Sequence, residues 1–245
     1  MEQTSTILKI REIYKLLFRT PKIQLSLKID KTKDNDPFYK KITQNFYQLV
    51  TRRHKKMPVF GQMTRGVAIC KLPGTYQDYI ELIENSGHRN VKKAIRLGYV
   101  FQRINYNDYL SDILDIRKST SVRQGKVSDS FMNTKPKAIE DPMSKNHYHD
   151  YPYFGVLDNT GQLVAYAGCF LAGEVIELSH FYGHAVHQKN GVIPLLVTSI
   201  AKYVIENHSQ VKVFMYGGYI GSSATLRRFK KKFHFFPYHV RWSLK

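Results

Sequence analysis

Acidic residues are scarce in this chain. Only 19 Asp and Glu stand against 38 Lys and Arg in 245 residues, a formal charge of +19 with an isoelectric point near 9.8. Such an excess disfavours cationic partners and steers anions of any kind toward the surface: nucleic acid, a phosphorylated carrier, a nucleotide-linked donor or an acidic polymer. Cysteine is scarcer still. Cys70 and Cys169 lie far apart, each inside an apolar, strand-like run, which excludes a disulfide framework and suits buried thiols in a reducing compartment. No apolar run reaches the ~18 residues a spanning helix needs, so no membrane span is expected. Residues 1–6 lack a charged segment followed by an apolar one, and the expected location is cytoplasmic. There is no internal repeat, no phosphate-binding loop of the Walker type and no Gly-x-Ser-x-Gly elbow, which removes support for phosphoryl transfer and serine hydrolysis. His147, His149 and Asp150, and likewise His180, His184 and His187, have spacings that fit no zinc pattern. No metal is expected.

What is present is a chain with 42% hydrophobic residues, enough for one large domain or two small ones. Ile7, Ile10, Ile13, Tyr14, Leu17 and Phe18 recur at helical spacing over residues 1–20. Ile23, Leu25, Leu27 and Ile29 alternate as a strand does, and Asp34-Asn35-Asp36-Pro37 breaks the pattern. A helix over 38–53 ends in the basic run Arg52-Arg53-His54-Lys55-Lys56. A strand pair follows over 59–72, closed by Pro73-Gly74. Two helices fill 75–98, divided at Ser86-Gly87 and stopped by Gly98. Thereafter come a strand (99–104), a helix (106–118), a long connection (119–151), three strands (153–158, 163–171, 174–184), a helix (194–207), a strand (211–216), a basic helix and a terminal strand. The expected class is α/β, with a mixed, mainly antiparallel sheet flanked by helices.

The most informative stretch is 174–235. A strand leads into Gln188-Lys189-Asn190-Gly191 and then a helix, an arrangement in which backbone amides and the positive helix end attract anions. Together with Leu226-Arg227-Arg228-Phe229-Lys230 and the following Phe233, this turn resembles the core of the GNAT acyltransferases and, more narrowly, of Fem-type peptidyltransferases. The resemblance covers 99–245. It implies a GNAT-like acyltransferase domain there, with residues 1–98 as an N-terminal α/β extension or partial GNAT-like unit. It also implies that Gln188, Lys189, Asn190, Gly191 and Val192 hold the donor, acetyl-CoA or another acyl-CoA, or aminoacyl-tRNA in a Fem-like variant. Ile193 departs from the small residue usual at its position. His88-Arg89-Asn90-Val91-Lys92 resembles a short Fem-type helix. Arg89, Lys92, Lys93 and Arg96 share one broad face of it, which suits either a phosphate-bearing substrate or plain solvation. By the same resemblance the connection 119–151, with Arg123 near its start, is a candidate lid over the acceptor.

Acyl transfer to an amine needs a proton acceptor, donors for the oxyanion and an acid for the leaving group. On strand 174–184, simple alternation puts Glu177, Ser179 and Phe181 on one face and Leu178, His180 and Tyr182 on the other. The resemblance places a base on this strand, hence Glu177 or His180. Tyr216 and Tyr219 flank the close-approach glycines Gly217 and Gly218 and are candidate acids. Lys230 stands where GNAT enzymes carry a Tyr, and His234 replaces their Gly. A cationic Lys230 would stabilise an anionic donor or the oxyanion. The sequence thus points to an N-acyltransferase that passes an acyl group directly to an amine acceptor. The alternative is a nucleic-acid-binding or nucleic-acid-modifying protein on a GNAT-like scaffold, its basic clusters meeting phosphates and its many Tyr and Phe stacking on bases.

Overall fold

The computed structural model describes residues 19–32, 37–54, 57–123, 127–140, 142 and 145–245. The helix expected over 1–20, the residues Asp34-Asn35-Asp36 and Lys55-Lys56 lie outside them or nearly so. The frame is a nine-stranded sheet in the order β1-β11-β4-β10-β9-β8-β7-β5, with β6 on β8. Its strands are β1 (Lys22–Ser26), β4 (Val67–Lys71), β5 (Val100–Ile104), β6 (His149–Asp150), β7 (Tyr153–Leu157), β8 (Leu163–Ala172), β9 (Val175–Gly183), β10 (Val213–Gly218) and β11 (Phe236–Ser243). All ten residues of β8 are buried, as its unbroken apolar run requires of a strand covered on both faces. Pairing is antiparallel except for β1 with β11 and β9 with β10.

Helices cover the two faces unequally. On one face lie α2 (Tyr76–Leu82), α3 (Asn85–Arg96) and α7 (Val192–Asn207), joined by Phe233 after α8 (Ala224–Lys232), in one large apolar core. Among the described residues, the opposite face is covered at its flanks. There α1 (Pro37–Thr51) buries Tyr39, Thr43, Phe46 and Val50, at helical spacing, over the β1–β11–β4 side. Helix α4 (Leu110–Lys118) buries Ile113 and Ile116 over the β5–β7 side. Among the described residues, nothing covers the middle of the sheet between α1 and α4.

Three expectations change. The strands of 59–72 do not pair with each other: β3 (Met57–Gly61) pairs with the short β2 (Arg53–His54), while β4 is hydrogen-bonded between β10 and β11. The sheet therefore crosses the boundary expected near residue 98. The break between α2 and α3 falls at Ile83-Glu84, and Gly87 lies inside α3, where a Cβ would stand 3.4 Å from Phe233. A Cβ at Gly87 would thus make ordinary packing contact, and the residue is not a helix stop. The long connection carries two short elements, α5 (Asp129–Asn133) and β6.

Candidate active site

Strands β9 and β10 run parallel and are paired at only three positions, the last being Met215 with Glu177. Beyond it they part. The edge of β9 that faces β10 has no strand to bond to from Leu178 onward, and a cleft of about 530 Å³ opens between them. Phe181, Tyr216 and Phe229 form its aromatic wall, with ring centroids 5.4 to 6.4 Å apart. Gly183, Ile193 and Arg123 close its far end.

At the parting point β9 carries a bulge. Leu178 pairs with Cys169 and His180 with Gly168, so Ser179 has no residue opposite it. One extra residue flips the alternation. Ile176, Leu178 and Phe181 consequently pack toward the α7 core, while Tyr182 packs toward the α4 cluster. Gly168 makes room beyond the bulge, because a Cβ there would stand 2.8 Å from Tyr153 and 3.3 Å from His180. The faces expected from strict alternation are thereby corrected: Glu177 and His180 share a face, and Phe181 leaves it.

Glu177 lines a second cavity, about 1120 Å³, in the open middle of the sheet between α1 and α4. Burial pushes its carboxyl up to about 7, against a hydrogen bond from Ser179, whose hydroxyl lies 3.4 Å from Oε2. Burial raises the nearby Tyr151 phenol above its ordinary value, against the lowering influence of the Ser179 hydroxyl. Tyr151 is held in turn by Asp150, which accepts its backbone N–H at 2.8 Å and pairs with Arg103 at 2.9 Å. Ser179 lines both cavities. It is the residue that the two cavities share. Burial and the nearby Arg117 charge lower the His180 imidazole, which lines neither cavity. Sequence reasoning missed Tyr151, and Ser179 was noticed only as a neighbour of Glu177. A glycine opposite the strand centre was the one available signal of a bulge.

Lys230 is 2% exposed. Its Nζ donates to the Gly218 carbonyl at 2.6 Å and Ser222 Oγ at 3.2 Å, and sits 4.8 Å from the Tyr216 ring centroid. Burial lowers its ammonium to about 8. Lys230 therefore ties the β10–α8 turn to the cleft wall, acting through Tyr216. Tyr219 is set apart: its backbone N–H donates to Gly66, and it lines neither cavity.

The turn expected to cradle a pyrophosphate is internally bonded. The amides of Gln188, Asn190 and Gly191 donate to His184, His187 and Gln188, and Val192 is buried at the start of α7. Helix α3 lies directly on the turn. Gly191 has φ +85°, and a Cβ there would overlap the Asn90 carbonyl. Lys93 Nζ donates to the Lys189 carbonyl at 2.9 Å, and Asn190 bonds Tyr99, which also bonds His187. On the neighbouring surface of α3, Arg89, Lys92 and Arg96 are exposed. Arg123, by contrast, is fixed inside the cleft. It donates to Gly183 at 3.1 Å and to Ile116, and its guanidinium lies over Tyr182.

Among the described residues no group of three His, Cys, Asp or Glu could hold a metal. His149 bonds the Leu27 carbonyl, and His184 lies 3.3 Å from Asp115. Cys70 and Cys169 are free and buried, and burial raises both thiols, Cys70 to about 12. No helix among the described residues is long and apolar enough to cross a membrane.

No protein-family model and no curated protein matches the chain. Solved structures do. FemX matches with a TM-score of 0.54 at 11% identity, over 71% of this chain and 59% of that one. The C-terminal domain of a putative lysylphosphatidylglycerol synthetase from Agrobacterium fabrum matches at 0.45 and 12%, over 70% and 58%. A GCN5-related N-acetyltransferase from Kribbella flavida matches at 0.39 and 12%, over 70% and 53%. The chain spans less than two thirds of each of these proteins. At such identities the likeness is one of fold alone, and the fold is like that of FemX.

Proposed function

We propose that this protein transfers an acyl group from an activated donor directly to an amine, with donor and acceptor reaching Ser179 from opposite faces of the sheet. The observation that carries this reading is the single β9 segment whose Ser179 lines both cavities. The acyl arm occupies the cleft between β9 and β10. The amine enters the larger cavity and gives a proton to Glu177, whose value of about 7 suits a base at neutral pH. Its nitrogen attacks the acyl carbon, forming the C–N bond. Backbone N–H groups on the unpaired β9 edge stabilise the oxyanion. The C–O or C–S bond to the carrier then breaks, and Tyr216 in the cleft wall supplies the proton to the leaving atom. Lys230 positions Tyr216.

For the donor we favour aminoacyl-tRNA over acyl-CoA. The amides of Gln188, Asn190 and Gly191 are engaged and Asn90 of α3 lies against Gly191, while the +19 charge and the exposed bases of α3 suit a large polyanionic carrier. The test is to incubate the protein with labelled aminoacyl-tRNA or acyl-CoA and an amine, and to follow amide formation. Amide from aminoacyl-tRNA supports the full reading. Amide from acyl-CoA alone overturns the donor assignment and leaves the transferase. Saturable tRNA binding with no amide from any donor favours a nucleic-acid-binding protein instead.

A further inference from the structure

We infer that the acceptor amine carries an apolar chain, which lies along α1 while its nitrogen meets Glu177. The inference rests on the transferase reading for its chemistry and on the larger cavity for its substance. Helix α1 buries Tyr39, Thr43, Phe46 and Val50, and Phe46 with its neighbours Phe38, Ile42 and Leu49 lines the cavity. Leu49 is 42% exposed, and across the mouth Ile139 is 39% exposed. Exposed side chains of this size on the wall of one cavity are costly unless something apolar covers them.

The polar groups of the wall divide by position. Arg103 is neutralised by Asp150 and also donates to Tyr203 at 3.0 Å. Asn107 is used up in clasping Ile139, donating to its carbonyl at 2.8 Å and accepting its N–H at 2.9 Å. Those two make no demand on a ligand. Glu140 and Lys145 stand at the loop side of the cavity. At the sheet, Glu177, Ser179 and Tyr151 form a polar floor, with Ser179 bonded to Glu177, beside the Tyr153 ring, 5.6 Å from that of Tyr151. A carboxyl flanked by tyrosine rings suits an amine. The rest suits its tail. The occupant that satisfies both ends is an amine with a chain long enough to reach from β9 to the rim of α1.

The chain's one tryptophan gives a reporter, because Trp242 packs edge-on against Phe46 at 5.7 Å. Titration of the full chain, without any donor, with n-alkylamines from butyl to decyl is expected to show Kd falling about threefold to fourfold per added methylene. Phe38→Ser with Leu49→Ser, both already part-exposed, should flatten that slope without unfolding the protein. A Kd independent of chain length overturns the inference. So does equal binding of alkyl alcohols of the same length, since the floor then does not recognise an amine. A length-dependent Kd with no transfer from any donor leaves the inference standing and removes the transferase reading. Transfer to small polar amines with no preference for a chain does the reverse.

Discussion

The two cavities that meet at Ser179 are made in different ways. The smaller exists because two strands lose their hydrogen bonding after Met215 and Glu177, so its shape is set by main chain and by the aromatic side chains that fill the fork. The larger exists because α1 and α4 cover only the flanks of one sheet face, so its shape is set by helix spacing. The first is narrow, and its main-chain edge on β9 has no partner strand among the described residues beyond Glu177. The second is wide, apolar on one side and titratable at its floor. Chemistry that needs an oxyanion site and a base within reach of one atom obtains each from a different layer.

Four changes would break or sharpen this contrast. Glu177→Gln should lower kcat by about 10²- to 10⁴-fold while leaving donor affinity unchanged, measured by steady-state kinetics and donor titration. A loss below tenfold would mean that the larger cavity holds no base. Gly191→Ala should destabilise by about 2–4 kcal/mol, through positive φ and collision with Asn90. Gly161→Ala, also at positive φ but with open space around it, should cost only about 1 kcal/mol. Urea midpoints of the two would show whether α3 truly sits on the turn.

The pH profile comes next. Transfer should rise through about pH 7 as Glu177 ionises and fall above about pH 8 as Lys230 loses its charge. Lys230→Met should abolish the falling limb, and an unchanged limb would detach Lys230 from the cleft. The smallest effect is on stability. Folding raises the Glu177 carboxyl from an ordinary 4.5 to about 7, so between those values the folded protein keeps a proton that the unfolded chain has lost. The stabilisation from this group is complete below about pH 4.5 and is lost as pH rises through 7. Glu177→Gln should remove that decline, making the variant more stable than the parent by about 1–2 kcal/mol above pH 7. Urea midpoints across pH would read it.

Much of the fold was legible because the signals were local. The apolar run of β8 and the helical spacing of α7 needed no partner to be read. The site depended on distant partners. Strict period-two counting put Glu177 and His180 on opposite faces, and only the pairing of β9 against Gly168 reveals the bulge that unites them. Tyr151 looked like the end of a loop until Ser179 and Asp150 met it. Gln188 and Gly191 were readable as a turn, but nothing near them in sequence says that Asn90 lies against that turn. The partners of β4 lie some 140 to 170 residues later in the chain, so its interior place was beyond a local pattern.

Lys22 pairs with His239 and Ser26 with Ser243. Contacts that span nearly the whole chain form late, because loop closure must precede their reward. During synthesis β1 has no partner until β11 has been made, and α1 leans on that same strand through Phe46 and Trp242. The α1 wall of the larger cavity is therefore the last part of the molecule to be finished, and a nascent chain would possess the fork between β9 and β10 before it possessed that wall.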